Sequence, residues 1–209
     1  MELLLLIAML VLNFVISWAN ASYCGRYWTE SKNEGGWFRA YIVCGYIMAI
    51  CGFTMVYSYV ALLIAPVVMQ AFEVEQELIV YFVDLAANLT YLVIVFPILS
   101  SGLFIWFRGM QITWENRTVG NMVATGWNTY AQIHNTISAM RNVPSAFGKV
   151  VEALLGGKKK KKGEEVMAIL AILLVILAVL GGYFTASAIM KRADREYDAY
   201  SILRRRANV

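Results

Sequence analysis

Charge is what this 209-residue sequence has least of. Asp, Glu, Lys and Arg make up 15% of it, where a soluble domain carries roughly 25%. Apolar residues rise to 60%, against a usual value of roughly 45–50%. A soluble domain of this size cannot hide so much apolar surface, so the composition implies a bilayer as solvent. Low hydrophobicity and high net charge, the marks of intrinsic disorder, are also missing.

Chemistry-bearing residues are scarce as well. The only histidine is His134, and the three cysteines, Cys24, Cys44 and Cys51, form no C-x-x-C pair, so no zinc site of the usual kind is present. Cys44 and Cys51 share a helical face but sit two turns apart, about 10 Å, too far for a disulfide, and read as packing thiols. There is no G-x-x-x-x-G-K-[ST] loop, no G-x-G-x-x-G and no G-x-S-x-G elbow. Asp84 has no second acid with which to form an aspartyl pair, and His134 has no evident catalytic partner. No enzyme, metal or cofactor is expected. The sequons at Asn20, Asn88 and Asn116 are short enough to arise by chance, and the second falls inside an apolar stretch that glycosylation cannot reach.

What is abundant is uninterrupted apolar sequence. Residues 3–25, 40–72 and 166–190 carry no charge, and 78–107 carry only Asp84. A hydrocarbon core of ~30 Å takes about 20 helical residues to cross. The expected fold is therefore an all-α membrane protein with four transmembrane helices, at about 2–20, 39–66, 78–107 and 166–190. Pro66 is expected to stop the second and Pro97 to kink the third. Only Glu2 precedes the first apolar run, with no Lys or Arg, and the run exceeds a signal core, so an uncleaved anchor is expected. The chain divides into a three-helix region (1–107), an extramembrane segment (108–165), the fourth span (166–190) and a basic tail (191–209).

Between the third and fourth spans, Val119, Val123, Tyr130, Ile133, Ile137 and Met140 recur at helical spacing among Asn121, Asn128, Thr129, Gln132, Asn135, Thr136 and Arg141. This is an amphipathic helical insertion, expected to end at Pro144 and to be followed by a shorter helix over 145–155. It is too polar to span alone and too short to form its own core, so it should lie on the membrane or pack on another subunit. Its polar face, rich in Asn and Thr, favours a protein partner over bare lipid.

Lys158, Lys159, Lys160, Lys161 and Lys162 follow. Such a run is normally solvated; beside anionic lipid each lysine gains ~1 kcal/mol before screening. An acidic protein partner ranks next. Nucleic acid is disfavoured for these lysines, and for Arg204, Arg205 and Arg206, because no aromatics interleave with the lysines.

Orientation is in conflict. The acidic loop over 67–77, with Glu73, Glu75 and Glu77, should face away from the cytoplasm, and its flanks, with twelve basic residues, should face inward. Four crossings then strand the six basic residues of the tail outside. Docking of the tail on a partner, or an organelle or virion membrane, would each account for that.

Two features remain inside the spans. Tyr81, Asp84, Asn88 and Tyr91 fall within an arc of about 80°. This polar stripe is either interhelical glue or an ion path, with Asn13 as a partner from the first helix. Ala178, Gly182 and Ala186 repeat every fourth residue, and Gly45 and Gly52 share a face, patterns that let helix backbones approach. The segment from Gly25 to Gly36, with Trp28, charges and glycines, reads as a specific connection between helices. The expected role is a structural or assembly subunit of a larger membrane complex, as a homo-oligomer or with other subunits. A small channel using the Asp84 stripe is the alternative.

Overall fold

The computed structural model describes residues 2–155 and 163–207, and among these every regular element is an α-helix. Lys158 to Lys162 lie outside the described residues, as do the side chains of Arg204, Arg205 and Arg206. In chain order the helices are α1 (Glu2–Arg26), α2 (Trp28–Glu34), α3 (Gly36–Ala71), α4 (Gln76–Glu115), α5 (Val119–Leu155) and α6 (Glu164–Ala207). Four of them, α1, α3, α4 and α6, are long and apolar enough to cross a membrane. Each runs past its charge-free block, because polar side chains at a helix end reach water without breaking the ladder.

The prolines do not act as terminators. α3 continues through Pro66 to Ala71, and α5 is one helix of 37 residues that continues through Pro144. The expected pair of helices after Arg117 is therefore a single rod. Proline removes one N–H and crowds one carbonyl, but the helix goes on where packing holds the turns on both sides. In α5 that hold comes from Ala139 on one side of Pro144 and from Ala146 and Val150 on the other, all buried.

The connection over 25–36 is a built corner. Ser31, fully buried, donates to Trp28 O at 2.8 Å, and Arg39 Nη1 donates to Ser31 Oγ at 3.1 Å while its guanidinium lies 3.8 Å from the Trp28 ring centroid. Gly35 and Gly36, at φ 65° and 52°, make the reversal between α2 and α3 in a region that side chains resist.

Packing sets the direction of each helix. α3 runs antiparallel to α4, with Trp37 stacked on Phe104 at one end and Leu62 and Met69 against Phe82 towards the other. α6 runs antiparallel to α3: Gly182 faces Thr54, and Ser187 hydrogen-bonds Tyr46. α4 and α6 are consequently parallel. Both begin at one end, where a side chain at Gly163 would meet Leu78 Cδ1 at 2.9 Å. α6 then reaches the opposite end, where Gly25 presses on Met190 and Ala193, and Thr29 donates to Asp194 Oδ1 at 3.0 Å.

Two cores hold the bundle. Near the α4 and α6 starts, Leu62, Phe82, Leu85, Ala86, Val150, Met167, Ala168 and Ala171 join four helices. Towards the other end, Ala21, Ala49, Phe53, Ala186 and Ile189 join α1, α3 and α6. The small residues lie at these seams: a side chain at Gly182 would meet Thr54 Oγ1 at 2.6 Å, one at Gly45 would meet Cys24 Sγ at 2.8 Å, and Gly52 abuts Ser17. Ala178 and Ala186 are buried on the same helix.

Candidate functional site

α5 lies along α4, antiparallel to it, and the seam between them gathers most of the polar chemistry of the bundle. It starts at the 116–118 turn, where Thr113 donates to Asn121 O at 3.1 Å and shares a hydrogen bond with Thr125 at 2.6 Å. One turn on, Trp106 Nε1 donates to Thr129 Oγ1 at 2.8 Å. Gln132 then donates to Leu99 O at 3.3 Å, just beside Gly102, where the absence of a side chain makes room for the amide. Further along, Tyr91 OH reaches Ser138 O at 3.5 Å, and Tyr81 OH donates to Ala153 O at 3.1 Å.

The stripe expected on the third span is part of this seam. Asp84 accepts from Lys149 Nζ at 2.8 Å, both side chains about half exposed at 51% and 52%. Asn88 donates to the Asp84 backbone carbonyl at 2.6 Å, leaving the carboxylate to Lys149. Tyr81, Asp84 and Tyr91 thus reach α5, and Asn88 folds back on its own helix. Asn13 is not brought to them: its Nδ2 donates to Gly52 O at 3.2 Å, within the contact of α1 with α3.

Lys149 is the residue that sequence reading passes over. It lies 65 residues from Asp84, and no periodicity links two helices that far apart in the chain. Trp106 and Thr113 escape notice for the same reason.

Two hollows border the seam. One of about 190 Å³ lies among α3, α4 and α5, lined in part by Tyr59, Thr90, Tyr91, Asn135 and Ser138. Thr90 Oγ1 is buried there without a hydrogen-bond partner. The other, about 410 Å³, surrounds the ion pair and is lined by Glu75, Glu77, Tyr81 and Glu164 besides Asp84 and Lys149. Among the described residues, no group of three His, Cys, Asp or Glu side chains is placed to hold a metal. His134 lies on the exposed face of α5, stacked on Tyr130 at 6.1 Å. The seam therefore offers hydrogen bonds and one ion pair, the means of holding two helices together.

The outer face of α5 is the reverse of what a water-facing helix shows. Val119, Val123, Tyr130 and Met140 are each more than 60% exposed, and Ile133 and Ile137 are exposed too, while Thr125, Thr129 and Gln132 turn inward. Thr125, Thr129 and Gln132 meet partners on α4 while the apolar stripe faces out, and Asn135, Arg141 and Asn142 are exposed beside it.

The four long apolar helices are compatible, by length and composition, with a multi-pass membrane protein. Comparison of the chain with protein families, with characterised proteins and with solved structures finds no match.

Proposed function

We propose that the chain is a structural or assembly subunit of a larger membrane complex, with residues 119–155 as the amphipathic insertion that meets the partner. The observation that carries this reading is the exposed surface of α5. There Ile133, Ile137, Met140 and Phe147 stand beside Asn135, Arg141 and Asn142, all exposed. Hydrocarbon suits the first group and water the second; a protein surface suits both. The polar stripe on α4 supports the reading, because Tyr81, Asp84 and Tyr91 are spent on α5. A membrane protein of a virion or mobile element is one form of such a subunit, with basic segments turned towards packaged material.

Purification in mild detergent tests it. The expected result is a particle larger than one chain, either a homo-oligomer or with co-purifying proteins, which Ile133→Glu together with Ile137→Glu dissociates. A lone monomer overturns the reading. The second reading, a channel or transporter, rests on the half-open acidic hollow around Asp84. Under it, Asp84→Asn abolishes pH-dependent flux in proteoliposomes; under the assembly reading, no such flux exists to lose.

A further inference from the structure

We propose that α5 recrosses the membrane alongside α4, on the outside of the bundle, so that the chain crosses five times and its termini lie on opposite sides. This rests on the membrane reading of the four long apolar helices, and its test is separate from that of the subunit role.

The geometry leaves little choice once those helices cross. α4 and α6 are parallel: Gly163 sits beside Leu78 where both begin, and Thr29 and Gly25 meet Asp194 and Met190 where α6 reaches the opposite end. Two parallel crossings in succession require the chain to return between them. The return is α5, whose start lies with Thr113 at one end of α4 and whose end lies with Tyr81 near the other. At 1.5 Å per residue, its 37 residues cover about 55 Å, ample for a core of about 30 Å. Its mean composition is too polar for a helix surrounded by lipid. Alongside α4 that objection weakens, because Thr125, Thr129 and Gln132 hydrogen-bond to α4 and no longer need water, while the exposed Asn135, Arg141 and Asn142 would rest on the partner surface proposed above.

Charge supplies an independent argument. In this arrangement Arg26, Lys32, Arg39, Arg108, Arg117, Lys191, Arg192, Arg195, Arg204, Arg205 and Arg206 all belong to segments at one end of the bundle, together with Glu30, Glu34, Glu115, Asp194, Glu196 and Asp198. Segments at the other end carry Glu2, Glu73, Glu75, Glu77, Glu152, Glu164 and Glu165, with Lys149 and the five linker lysines, and Arg141 lies between the two ends, in the middle of α5. With eleven Lys or Arg against six at the other, the first end is the cytoplasmic one in this arrangement. The tail that four crossings strand outside now lies inside, and the linker lysines belong to a connection between two helix ends that flank the acidic turn.

Side-specific labelling tests the proposal. Epitopes at the two termini of the otherwise unaltered chain, probed in sealed cells and again after permeabilisation, are expected on opposite sides; termini on one side overturn it. Single cysteines at Glu73, Arg117, Glu165 and Arg195, in a background with Cys24, Cys44 and Cys51 changed to Ala, give the second reading. An impermeant maleimide is expected to reach positions 73 and 165 from outside, and 117 and 195 only after permeabilisation. Labelling of 117 and 165 from the same side overturns the fifth crossing. A monomeric particle in detergent would overturn the subunit role and leave this result untouched.

Discussion

Lys149 Nζ lies 2.8 Å from Asp84 Oδ1, joining α5 to α4 across 65 residues of sequence. Because both side chains are half exposed, the pair holds the seam in register more than it stabilises the bundle. Asp84→Asn is expected to cost no more than ~1 kcal/mol. A double-mutant cycle with Lys149→Met, followed by thermal unfolding in detergent, measures the coupling. A coupling several times larger would mean that the pair is shielded from solvent by a partner.

Close backbone approach at Gly182 makes a sharper prediction. Gly182→Val places carbon against Thr54 Oγ1 and the Ile50 carbonyl, which cannot yield without moving α3 from α6. The expected loss is ~1–3 kcal/mol or more. Gly126, where an added methyl group would meet nothing within 4 Å, is the control. Gly126→Ala is expected to raise stability by ~0.5–1 kcal/mol through helix propensity alone. Melting temperatures that move in the same direction would refute the contrast.

The hydroxyl seam between α4 and α5 is expected to be worth little per bond and more in sum. Hydrogen bonds between membrane helices average about 0.6 kcal/mol. Thr129→Val, which removes the partner of the Trp106 indole, should cost about that, and should shift the tryptophan emission as Nε1 loses its acceptor. Unchanged emission would mean that Trp106 finds another acceptor.

At the corner before α3, Arg39→Lys keeps the charge and loses the planar stack on Trp28 and the hydrogen bond to Ser31. A cost of about 1 kcal/mol is expected. Amide exchange should accelerate in α2 and the first turn of α3 while the centre of α4 stays protected. Uniform acceleration would show that the corner is coupled to the whole bundle.

Much of this architecture is visible in the sequence, and for a simple reason. Four stretches without charge, or with Asp84 alone, are long and apolar enough to be spans, and the stretches correspond to α1, α3, α4 and α6. Residue type also marks the corner at Trp28 and the seams at Gly45, Gly52 and Gly182. Pro66 and Pro144 mislead because local stereochemistry is only part of a helix's stability, and buried neighbours such as Ala146 and Val150 supply the rest. The course of α5 is hidden for another reason. Periodicity reveals that Val119, Val123 and Tyr130 share a face; it does not reveal whether that face turns inward. In water the apolar face would be buried, yet here Thr125, Thr129 and Gln132 are the inward ones.

The place of α6 has a consequence for biosynthesis. It is the last of the six helices to be made, and it alone packs on α1, α3 and α4 together. Until it arrives, the α3 face carrying Tyr46, Tyr57 and Thr54 has no Ser187, Thr185 or Gly182 to meet. The α3 face is therefore completed late in synthesis, and its hydroxyl partners arrive only with α6.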